Sequence, residues 1–172
     1  MEEKHISNMP KVVMLKEPHK KPKYINEIYW EMIMALESLS KWWKNVFSLY
    51  RSTGMRRSEP IHGYLDGEFL IVSAEHTKGN KEYEIHLQPW QIVIVKKIHE
   101  ARDEHLAKGS KMVTFKNKFT KQFKDACDEI GIDANFHCLR YTYAVIRYLE
   151  TRYLYLVCKE FNHRSIKTAE KY

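Results

Sequence analysis

The sequence predicts an α+β domain, mainly helical, with one small antiparallel β-sheet. Apolar residues recur at helical spacing after Asn26 and again beyond Pro89, while only residues 68–72 and 82–87 read as strands. The chain has 172 residues, enough for one hydrophobic core. Its 11 Tyr, 7 Phe and 4 Trp argue for a packed domain over a disordered basic tail.

Residues 1–23 read as a basic leader or linker, punctuated by Pro10, Pro18 and Pro22 and carrying His19-Lys20-Lys21-Pro22-Lys23. Asn26 is a plausible N-cap for a first helix whose inward face would be Ile28, Met32, Ala35, Leu36 and Leu39. Ser40 can cap a second helix that buries Trp43, Val46, Phe47 and Tyr50, with Gly54 ending it in the left-handed conformation. Pro60 bars a long helix after Glu59. Gly79-Asn80 is expected to turn a hairpin between the two strands. Helices then follow over residues 90–107, 117–130 (ending at Gly131), 138–151 and 153–161.

Lys and Arg number 29 against 22 Asp and Glu, a formal charge of +7 that favours a polyanionic partner, nucleic acid foremost. Cys127, Cys138 and Cys158 make no C-x-x-C or zinc-finger spacing, which fits a reduced, cytoplasmic compartment. No run approaches the roughly 20 apolar residues of a membrane span, and no apolar signal core follows the charged Glu2-Glu3-Lys4.

The candidate chemistry lies in residues that are each ordinary alone. Arg56 and Glu59 stand in Thr53-Gly54-Met55-Arg56-Arg57-Ser58-Glu59, and Lys78 stands beside Gly79-Asn80. His137 and Arg140 share a helix face in His137-Cys138-Leu139-Arg140-Tyr141-Thr142-Tyr143-Ala144. His163 precedes the terminal Tyr172 by nine residues. A phenol attacks phosphate poorly unless cations collect the developing charge, and arginines, a lysine and histidines supply them.

In this order and spacing, the set resembles the tyrosine recombinase (phage-type integrase) family. That family's pattern is T-G-x-R-x-S-E, a lysine on a β-turn, H-x-L-R-H-T-x-A, L-G-H, and a tyrosine nine positions after the last histidine. The resemblance spans residues 24–172, the family's catalytic domain; Phe161-Asn162 replace Leu-Gly, and Tyr141 stands where histidine is common. It implies the catalytic-domain fold of that family and a reaction in which Tyr172 attacks a DNA phosphate, giving a 3′-phosphotyrosyl link. Arg56 and Arg140 would bind the phosphate and Lys78 would protonate the leaving oxygen, with Lys81 as the alternative. His137 would assist deprotonation of Tyr172, His163 would hydrogen-bond the phosphate, and Glu59 would steady the arginines.

No cofactor is expected, and His99-Glu100 with His105 do not form H-E-x-x-H, so no metal is expected either. Lys20, Lys21, Lys116, Lys118 and Lys121 are candidates for DNA-backbone contacts. The resemblance further implies double-stranded DNA and other recombinase subunits, in a DNA-bound tetramer, as partners. The family's N-terminal DNA-clamping domain is expected to be absent, and the free chain monomeric. A type IB topoisomerase, or a binding module that has lost the reaction, stays open as an alternative.

Overall fold

The computed structural model describes residues 24–77 and 80–161. Among them the order is α1 (Glu27–Ala35), α2 (Lys41–Thr53), α3 (Glu59–His62), β1 (Tyr64–Asp66), β2 (Phe69–Val72), β3 (Tyr83–His86), α4 (Pro89–Ala107), α5 (Met112–Glu129), α6 (His137–Thr151) and α7 (Leu154–Glu160). The mainly helical α+β class holds. None of these helices is long and apolar enough to cross a membrane.

Asn26 caps α1 as expected, its Oδ1 accepting from the Tyr29 amide at 2.9 Å. The helix is rotated from the expected face, however. It buries Trp30 and Ile33, leaving Ile28 and Met32 68% and 42% exposed, while Leu36 is the C-cap and Leu39 is buried beyond the helix end. Residues two apart lie about 200° around a helix, so burying Trp30 turns Ile28 and Met32 outward. Trp30 lies under the Arg51 guanidinium of α2, 4.8 Å from ring centroid to Cζ, and Arg51 also pairs with Glu27. The large ring decides the rotation.

α2 buries Val46, Phe47, Leu49 and Tyr50, with Trp43 half-buried; Ser40 occupies its N-cap position without a side-chain bond. Gly54 ends it at φ 64°, its amide bonded to the Tyr50 carbonyl at 2.9 Å. A Cβ there would meet Tyr143 Cδ1 at 2.4 Å. Glycine is thus required by conformation and by space. Pro60 sits in the first turn of the four-residue α3, where its missing N–H is not needed.

The sheet runs β1-β2-β3, antiparallel throughout. β1 was not anticipated. Its Asp66-Gly67 opens a two-residue turn with Asp66 paired to Phe69 and Gly67 at φ 57°. β2 and β3 pair antiparallel, Val72 opposite Tyr83, close to the expected strand bounds; the expected turn at Gly79-Asn80 falls partly on Gly79, which lies outside the described residues. After β2, Ala74–His76 make a 3-10 turn, which the Thr77 hydroxyl braces by bonding the Ala74 and Lys81 carbonyls. α5 starts at Met112, five residues before the expected 117.

Aromatic rings from α2 and α5 and from Phe136 make the centre of the core. Phe136 meets Tyr50 edge-on at 4.6 Å between centroids, and Phe47 meets Phe123 at 5.1 Å. Such pairs contribute about 0.5–1.5 kcal/mol each beyond their burial. Phe136 directly precedes α6, so the core fixes where that helix begins. The three cysteines are buried and unbridged.

Gly54→Ala is expected to lower unfolding free energy by about 2 kcal/mol or more, since left-handed backbone and contact with Tyr143 both oppose it. Urea denaturation checks this; an unchanged midpoint would contradict it.

Candidate active site

Arg56 and Glu59 lie on the turn from α2 into α3. Glu59 accepts from the Arg56 backbone amide at 2.7 Å and from Arg56 Nη1 at 2.8 Å, and the Tyr83 hydroxyl of β3 donates to it as well. The Glu59 side chain is 3% exposed against 29% for Arg56, so the arginine keeps an edge toward solvent while its anchor is buried. Burial alone would disfavour the Arg56 charge, but the bond to Glu59 and its negative charge outweigh that and raise the arginine's pKa. Tyr83 is pushed above the ordinary phenol range by burial first and by Glu59 second, so it stays a donor.

Arg140, on α6, is buried. Its Nη1 donates to the Gly54 carbonyl at 2.5 Å and Nη2 to the Phe161 carbonyl at 3.0 Å, and its guanidinium lies 4.2 Å over the Phe161 ring. One side chain thereby joins the end of α2, the start of α6 and the end of α7. α7 is also held by Glu160, which accepts from Tyr143 at 3.0 Å and Arg147 at 2.7 Å.

His137 is the first residue of α6, its amide donating to Asn135 Oδ1 at 3.0 Å. Its ring meets Tyr141 edge-on at 4.7 Å. Desolvation first, then the charges of Arg140 and Arg56, lower its pKa below the ordinary histidine value. Both arginines are therefore within electrostatic reach of one imidazole. His137, Arg140, Asn135, Phe136, Met55, Arg57 and Thr120 line a cleft of about 340 Å³. Arg57 bonds Thr120 across its floor.

Among the described residues, three of the expected lysines meet different partners. Lys116 approaches His62 Nε2 at 3.4 Å, Lys121 pairs with Asp125 on its own helix at 2.8 Å, and Lys118 reaches His105 Nδ1 at 3.2 Å. Lys118 lines a separate cleft with Trp42, Trp43 and Phe115. Lys20, Lys21, Lys78, His163 and Tyr172 lie outside the described residues. Among the described residues no group of three or more His, Cys, Asp or Glu could hold a metal ion.

Sequence reasoning missed Tyr83, Asn135 and the Arg57–Thr120 bond. Tyr83 had a usable signal: alternation in β3 puts it on the half-buried side with Ile85, where a phenol needs a partner. Asn135 and Thr120 gave none, because their roles depend on how α5 and α6 pack.

His62, His99 and His137 all have lowered pKa values, burial being the largest cause in each. The unfolded chain binds protons at about pH 6.5, and the folded state resists them. Stability is therefore full above about 6.5 and lost as pH falls through the lower folded values. Urea midpoints should drop between about pH 7 and 5; a flat profile would contradict the assignment.

No protein-family model and no curated protein matches the chain. Solved structures do. A XerH site-specific recombinase in a post-cleavage complex with palindromic difH substrate shares 20% identity at TM-score 0.65, over 88% of this chain and 49% of that one. The integrase of mycobacterium phage Brujita shares 19% identity at TM-score 0.61, over 87% and 52%. A lambda integrase tetramer bound to a Holliday junction shares 16% at TM-score 0.63, over 90% and 49%. The chain thus spans about half the length of these relatives. Arrangement of helices and sheet alike, it has the fold of a tyrosine recombinase catalytic domain.

Proposed function

We propose that residues 24–172 are the catalytic unit of a site-specific DNA recombinase or integrase, preceded by a basic leader at residues 1–23. The observation that supports the reading is that His137 and Arg140, from the second half of the sequence, line one cleft with Met55 and Arg57, the two chain neighbours of Arg56. Recombinases of the same fold, solved on DNA, support it.

In this reading Tyr172 attacks a phosphate in line, forming a 3′-phosphotyrosyl bond and releasing the 5′-oxygen. Bond energy is conserved, so the reverse attack by a 5′-hydroxyl rejoins a strand. Charge gathers on the non-bridging oxygens as phosphorus becomes five-coordinate, and the planar donor forks of Arg56 and Arg140 suit that geometry. Arg56 is aimed by Glu59, and Arg140 is fixed in plane by two carbonyls. A histidine with a lowered pKa is neutral at pH 7, which suits His137 to accept the Tyr172 proton. Lys78 protonates the leaving oxygen, and His163 adds a hydrogen bond to the phosphate.

Cations of the protein perform the charge work, so the reaction runs without a metal. Double-stranded DNA is the substrate, and exchange between duplexes requires further subunits; the lambda integrase neighbour is a tetramer on a Holliday junction.

A nicked suicide duplex tests the reading. The chain should form a covalent adduct, indifferent to chelator, that Tyr172→Phe abolishes and Arg56→Ala slows on the order of 10²–10³-fold. An adduct that survives Tyr172→Phe, or a strict magnesium requirement, would refute it.

A further inference from the structure

Outside the cleft, a second group of basic side chains gathers where α3, α5 and the 3-10 turn meet. The His62 and His76 rings lie nearly parallel, 4.3 Å apart between centroids and inclined by 30°. Lys116 Nζ stands 3.4 Å from His62 Nε2. With Lys116 protonated, that contact makes His62 Nε2 an acceptor, so the ring is neutral. From α4, Arg102 adds positive charge while it bonds the Ile61 carbonyl at 2.7 Å. The acidic neighbours are few: Glu75 lies 3.3 Å from His76 Nε2, and Asp103 is bonded to Arg102.

Two imidazoles and an ammonium in contact offer several N–H donors to an anion once His62 turns Nε2 from acceptor to donor. The group is also placed in register with the cleft. Lys116 and Thr120 are four apart on α5, one turn or about 6 Å along the helix, and Thr120 borders the cleft that Arg140 and His137 line. That step is comparable to the one between successive phosphates of a strand.

We propose that His62, His76 and Lys116 seat a second, non-reacting phosphate of the DNA strand whose neighbour reacts in the cleft. The assignment rests on the recombinase reading and deepens it. Seating takes up a proton: the arriving phosphate lets His62 become charged, so the complex tightens as pH falls. His62 resists that proton in the free protein because of burial first, then His76, Lys116 and Arg102, with Glu75 opposing.

The test is equilibrium binding of a duplex to the full chain carrying Tyr172→Phe, between pH 6 and 8 and across salt. Affinity should rise about tenfold toward pH 6, as one charge-assisted contact forms. Adding His62→Gln should reduce that gain to about twofold. Lys116→Gln, as an independent reading, should make the slope of log K against log salt shallower by about 0.9. Parental pH and salt responses in these variants would overturn the seat while leaving the recombinase reading intact. Failure of the parent to bind duplex would overturn both, whereas binding without any adduct from the Tyr172 chain would count against the chemistry alone.

Discussion

A buried arginine cannot be left without acceptors, and Arg140 finds them in the carbonyls of Gly54 and Phe161. This constraint organises much of the molecule. The two carbonyls belong to the ends of α2 and α7, far apart in sequence, and α6 carries the guanidinium between them. Removing it would leave buried acceptors unpaired at about 1–3 kcal/mol each. The same bonds fix the plane of the guanidinium that the proposal sets against a phosphate, so folding and the proposed chemistry make one demand on one side chain.

Glu59 sets the complementary constraint. A buried carboxylate needs donors, and it draws them from the Arg56 backbone, the Arg56 guanidinium and Tyr83. The turn after α2 is thereby pinned to the sheet. Gly54 joins the two constraints, since its carbonyl serves Arg140 and its lack of a side chain admits Tyr143. The site is thus built on helix ends and a strand whose positions the aromatic core already holds. Its arginines owe their geometry to buried partners, and not to each other.

Much of this was legible in the sequence where local physics decides. Gly54 reads as a left-handed stop, Asn26 as a cap, and the stripe from Val46 to Tyr50 as core. What escaped depends on tertiary competition. α1 has two candidate faces of similar apolarity, and the choice went to Trp30 because Arg51 of α2 stacks on it. β1 was hidden because its three residues are too short to show a clear alternation, and only pairing with β2 defines it. For the site, residue types in order marked Arg56, Glu59, His137 and Arg140. Nothing in that order foretold that Arg140 would be bonded to carbonyls, or that Lys116, Lys118 and Lys121 would each meet a different partner.

The central claim is that cations separated along the chain meet on a single phosphate. A structure of the Tyr172→Phe chain bound to a duplex addresses it directly. One phosphate should lie within hydrogen-bonding distance of both Arg56 and Arg140, with His137 beside it and the Arg140 bonds to Gly54 and Phe161 kept. A duplex whose phosphates touch only one of these arginines, or bind on another face altogether, would contradict the account.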